Sequence, residues 1–161
     1  MVIAWSPTLE TGISAIDCER KRLIEVANLF TDTAVVAQAE VFSPTLLDSL
    51  QQIFKDYFDK EEDLMFRIDY PLADKHMLSH SVMLTSLELA VLEHKKTGNS
   101  RLIVDFISDN YVNHLVSDET SLASFIQNKR NVQAARAQKA KAPVTASTIR
   151  ASRQTALQPR R

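Results

Sequence analysis

Apolar residues recur through most of the chain at the three- and four-residue spacing of a helix face, and four such stretches separate cleanly. The first residues are irregular, broken by Pro7 and Gly12. Asp17 then opens a pattern with Leu23, Ala27, Phe30 and Ala34 on one stripe, which predicts a helix ending near Val41 or Phe42. Ser43-Pro44 is a start signal, a capping hydroxyl followed by proline at the first helical position. Leu46, Leu47, Leu50, Ile53, Phe54, Phe58, Leu64 and Met65 carry this second helix to about Arg67, where Tyr70-Pro71 breaks the pattern. A third helix is predicted from about Ala73 to Lys96 through Met77, His80, Leu84, Leu87 and Val91, with Gly98 as its C-terminal stop. The fourth runs from about Arg101 to Gln127 through Ile103, Phe106, Ile107, His114, Leu122 and Phe125. Four amphipathic helices with short connections predict an all-α chain, an up-down-up-down antiparallel four-helix bundle behind an irregular N-terminal arm.

Composition narrows this picture. The chain has 161 residues, 45% of them hydrophobic and 24% charged, enough to bury a core without disulfides. Its two glycines, Gly12 and Gly98, are too few for the turns of a sheet-rich fold. No apolar run reaches the ~18–20 residues of a membrane span, and the first residues lack the basic and apolar segments of a secretion signal. The single Cys18 cannot form an internal disulfide, so a cytoplasmic location is expected. The net charge of −1 conceals a division: nine of the 19 basic residues lie from Lys129 onward, and all 20 acidic residues lie before it. Residues 1–127 therefore read as the bundle and 128–161 as a basic tail, disordered or transiently helical. Such a tail suits an acidic partner, nucleic acid or an anionic membrane surface, or folds loosely over its own acidic body.

Glu61, His76, His80 and His114 interrupt the apolar stripes, and burying such groups is costly unless they are paired or bind a metal. His76 and His80, four apart, share one face of the third helix. Tyr57 and Glu61 have the same spacing on the second, and His114 on the fourth is followed by Asp118 and Glu119. Taken alone, His-x-x-x-His fits two hydrogen-bonded core histidines more readily than a metal pair. The wider pattern is more specific. Trp5, Gly12-Ile13, Ile16-Asp17 with Lys21-Arg22-Leu23, then Phe58-x-x-Glu61-Glu62-x-Leu64-Met65, Tyr70-Pro71, His76-x-x-x-His80 and His114-Leu115 occur in order. From about Trp5 to Phe125 the chain resembles the bacterial hemerythrins.

That resemblance implies a non-haem iron site inside the bundle. In the family, a glutamate and an aspartate bridge two irons: one takes three histidines, and the other takes two and binds oxygen. Carried over, the three-histidine iron keeps His76, His80 and His114, and Glu61 is the bridging glutamate. Glu119 stands at the bridging aspartate position, with Asp118 as the alternative that ideal helix spacing favours. At the second iron both histidines are replaced, by Arg20 and Tyr57, and a tryptophan four residues before the fourth-helix histidine is Asn110. A guanidinium is a poor ligand for a cation but supplies a positive charge that Glu61 and Glu119 can bond. Tyr57 can hydrogen-bond in the pocket or bind ferric iron.

The expectation is a reduced, mononuclear site with one iron per chain, two irons or another divalent metal being the alternatives. It would act in binding or sensing iron, O2 or another diatomic gas, and not as an enzyme. A di-iron oxygen binder and a metal-free interaction module are the competing readings. His94 is read as a surface residue at a helix end, Cys18 as facing away from the site, and Asp59, Glu62 and Asp63 as a solvated face.

Overall fold

Asp17 fixes the entry to the first helix. Its carboxylate accepts the backbone N–H groups of Thr11 and Gly12, both at 2.9 Å, and the Thr11 hydroxyl at 2.7 Å. Gly12 has φ 72, which a side chain would oppose, so the arm can turn sharply into the helix. The computed structural model describes residues 2–36 and 42–141, and of 33–36 only the backbone.

The described chain is all-α. A short 3-10 turn, Pro7–Leu9, precedes α1, Ser14–Val36, which starts three residues earlier than the apolar pattern suggests. Of its predicted end, Val41 and the side chain of Ala34 lie outside the described residues, and Phe42 is not helical. Helix α2 spans Pro44–Arg67, and the Ser43 hydroxyl caps it by accepting from the N–H of Leu46. Helix α3 spans Ala73–Thr97 and ends on Gly98 at φ 71, whose N–H bonds back to the His94 carbonyl at 2.8 Å.

The fourth stretch, residues 101–141 (α4), is helical throughout but not uniform. Arg101–Asp105 is α-helical, Phe106–Tyr111 is π-helical and Val112–His114 returns to α. Leu115–Glu119 is again π-helical, and Thr120–Lys141 completes the run. Contacts divide the chain into two compact units, Met1–Gln127 and Asn128–Arg161. Residues 128–141, expected to be disordered or only transiently helical, are exposed helix. Alanine, glutamine and lysine are strong helix formers, and Lys139 and Lys141 sit favourably at a helix C-terminus. Residues 142–161 lie outside the described part.

Within the first unit α1 packs on α2 and α4, and α3 likewise packs on α2 and α4. Their inward residues form two separate apolar clusters. The larger runs through Leu23, Phe30, Leu50, Phe54, Leu87, Ile103 and Phe106, and the smaller holds Ile16, Leu64, Met65, Tyr70, Leu122 and Ile126. Leu46 and Met77, read as stripe residues, are instead exposed. His94, read as a surface residue, is buried: its ring lies 5.7 Å from that of Phe42, and Nε2 is 3.3 Å from the Phe42 carbonyl. The charge of its neighbours Lys95 and Lys96 hid its position on the inward face.

Candidate metal centre

On every helix the gap between the two clusters is filled by polar side chains. Arg20 lies between Ile16 and Leu23, and Glu61 between Phe58 and Leu64. His76 and His80 lie between Tyr70 and Met83, and His114 and Glu119 between Tyr111 and Leu122. All six are buried.

Four of them form a group that could hold a metal ion. Ligand atoms of Glu61, His76, His80 and His114 all lie within 4.8 Å of one another. Nε2 of His76 and Nε2 of His80 are each 3.4 Å from Glu61 Oε2. That is about the edge of a tetrahedron built with bonds of ~2.0–2.1 Å. The three imidazole rings stand 4.6, 4.8 and 5.0 Å apart, tilted edge to face. His76 Nε2, His80 Nε2, His114 Nε2 and Glu61 Oε2 are buried without any hydrogen bond. Buried polar atoms rarely go unmatched, and four that converge fit a cation between them.

The outer nitrogens of two rings are engaged. His80 Nδ1 contacts Glu62 Oε1 at 2.9 Å, and Phe58 stacks on the same ring at 3.9 Å. His114 Nδ1 contacts Asp118 Oδ2 at 3.1 Å and the Ser79 hydroxyl at 3.3 Å. A carboxylate on Nδ1 holds the proton there and turns the Nε2 lone pair inward, which is how metal-binding imidazoles are usually set. Glu62 is therefore half-buried and engaged, not part of the solvated face. Asp59 and Asp63 do lie exposed, in ion pairs with Lys55 and Arg67.

Asp118 and Glu119 separate in the same way. Asp118 grips the outer side of His114, whereas Glu119 is buried with Oε1 3.5 Å from His114 Nε2. In an α-helix a residue five positions on has turned well away from its starting face. The π-helical turn of Leu115–Glu119 carries the backbone round more slowly and returns Glu119 inward.

Beside the quartet lies a bonded cluster around Arg20. Its Nη2 contacts Glu61 Oε1 at 2.6 Å and pairs with Glu119 Oε2, its Nε donates to the Tyr57 hydroxyl at 2.8 Å, and Nη1 donates to the Leu9 carbonyl. The Tyr57 hydroxyl stands 2.8 Å from both Glu61 Oε1 and Glu119 Oε1, so its one proton serves whichever oxygen is the better acceptor. Burial alone would favour neutral Arg20, but Glu119, Tyr57 and Glu61 outweigh it and raise its pKa above the usual value. Burial opposes ionised Glu61 too, yet contacts from His76, His80 and Arg20 hold its pKa well below the usual carboxylate range. Burial pushes the Tyr57 hydroxyl well up, and the two glutamates add to this.

Tyr111, not singled out from the sequence, is also buried, and its hydroxyl has no hydrogen bond. Its position on an apolar helical stripe gave no sign of this. Asn110 is half-buried and lines a surface groove with Leu89 and Leu92. Cys18 is exposed. A surface cavity of about 420 Å³ reaches His76, with Tyr70, Lys75 and Asp118 among its lining residues. No described helix is long and apolar enough to cross a membrane. Compared with known protein families, curated proteins and solved structures, the chain matches none.

Proposed function

We propose that the chain is a hemerythrin-like protein whose four helices form an up-down-up-down antiparallel bundle around a single non-haem iron. His76, His80, His114 and Glu61 would bind the ion, with Glu119 at its edge. The observation that carries this reading is the convergence of four unbonded, buried donor atoms while Glu62 and Asp118 occupy the opposite nitrogens of two of the rings. Three imidazoles and one carboxylate suit Fe(II), and Zn(II) fits the same donor set. Bound iron would supply a redox-active centre, which suits a role in binding or sensing iron, O2 or a related gas in the cytoplasm. The basic residues after Gln127 would couple that site to an acidic partner. No catalytic turnover is proposed.

Arg20 argues for one ion rather than two. Its guanidinium already neutralises the Glu61 and Glu119 oxygens that a second ion would need, and two cations cannot share that space. Metal content per chain after anaerobic Fe(II) loading tests this. About one ion is expected, lost in the His76→Ala and His114→Ala variants. Two ions would restore the di-iron reading. The same Arg20 contacts also favour a second reading, a metal-free interaction module, because they satisfy much of the carboxylate charge without any ion. In that case no ion is taken up and a chelator leaves Tm unchanged.

A further inference from the structure

Helix α3 is apolar on two opposite sides, and among the described residues its neighbours cover only one. The covered side carries His76, His80, Met83, Leu87, Ala90, Val91 and His94. Leu78, Val82, Thr85, Leu89 and Leu92 line the other at alternating steps of four and three residues, within a narrow stripe about 21 Å long at 1.5 Å per residue. Its large side chains are open to solvent: Leu78 is 65% exposed, Val82 54%, Leu89 61% and Leu92 48%. A helix that is apolar all round normally lies buried on all sides, and steps of four and three are those of a seam between paired helices.

We propose that this stripe pairs with the same stripe of a second copy, α3 against α3 in antiparallel orientation. The stripe is self-complementary in that orientation. Leu78 of one copy meets Leu89 of the other and Val82 meets Thr85, so the two-fold axis passes between Val82 and Thr85 and each of these layers occurs twice, while Leu92 packs at either end against the stem of Lys75. The flanking charges agree with this register. Asp74, one turn before Leu78, falls beside Lys95 of the other copy, three residues beyond Leu92, and the symmetry makes two such pairs. Lys95 is exposed and among the described residues it pairs with the exposed Asp48 of its own chain, at 3.0 Å, so it can turn outward. A parallel pairing would leave Asp74 and Lys95 at opposite ends of the seam, about 31 Å apart at 1.5 Å per residue, where they cannot meet.

Sedimentation velocity on the full chain is the test, with circular dichroism confirming that each variant keeps its helix content. A dimer is expected at tens of micromolar. Leu89→Glu should raise its dissociation constant at least about tenfold, because burying a charge in the seam costs more than the leucine contributed. Register is read by oxidative cross-linking in a Cys18→Ser background. Val82→Cys chains mixed with Thr85→Cys chains should give heterodimeric disulfides in excess over either homodimer. A monomer at 100 µM, a dimer indifferent to Leu89→Glu, or no excess of the mixed disulfide would each overturn the proposal. A monomer that captures some other partner through this face counts against it equally.

Discussion

Arg20 is a buried cation whose removal strands two carboxylates. Glu61 and Glu119 would then lose their shared guanidinium, and breaking a buried pair by deleting one partner costs about 3–5 kcal/mol. Arg20→Ala is expected to lose stability of that order in metal-free protein, measured by urea denaturation, and Arg20→Lys should recover only part of it, since an ammonium cannot fork to both acids and Tyr57. His114 gives a pH signature. Burial would lower its pKa, but Asp118 and Glu119 outweigh this and raise it to about 9, while Asp118 falls to about 2, chiefly through its contact with His114. A raised histidine pKa adds stability that is fully present below its unfolded value of ~6.5 and lost as pH rises through about 9. Metal-free protein should therefore weaken across that window, and His114→Asn should lack the His114 part of the slope. Metal affinity should rise across the same window, because Nε2 must shed its proton to bind. Residues at this scale were legible in the sequence where a charged type stood in an apolar stripe, as Glu61, His76, His80 and His114 do. Glu62 and His94 were not, because each sits in a run of charged neighbours and its partner comes from a distant part of the chain.

Helices α2 and α3 declared their ends through local chemistry: the Ser43-Pro44 cap and the Tyr70-Pro71 break for α2, and the Gly98 stop for α3. The π-helical turns of α4 had no such signal, since the residues at their borders have ordinary helical backbone angles and a π turn differs from an α turn only by its added residue. That is why ideal spacing favoured Asp118 over Glu119. The distinction can be tested by deletion. Removing Val116, exposed within the second π turn, should relax it to an α turn while leaving Glu119 and Leu122 facing inward, so the variant should fold and melt cooperatively. Removing Val82, also exposed but on α3, should instead rotate His76 and His80 by about 100° against Leu87 and Val91 and abolish cooperative melting. The outward stripe of α3 was blurred in the sequence for a related reason: apolar residues on both sides leave no single face for periodicity to find, and Met77 was assigned to the wrong one.

At the scale of the whole molecule, the boundary between Met1–Gln127 and Asn128–Arg161 coincides with the shift in charge, and residues 128–141, exposed throughout, need no apolar pattern. What the pattern concealed was the break inside the first unit, where a layer of ionisable side chains crosses all four helices and parts the apolar clusters. Apolar contact transmits cooperativity only where it is continuous. The six-residue cluster around Tyr70 and Leu122 therefore reports to the larger one through hydrogen bonds and ion pairs, and those loosen when Arg20 or the histidines lose their partners. Native-state hydrogen exchange should separate two opening units: amides near Met65 and Leu122 exchanging through a smaller opening, those near Phe54, Leu87 and Ile107 only through global unfolding. An ion held by α2, α3 and α4 would fuse the two into one, so its arrival would register in exchange rates at residues that never touch it.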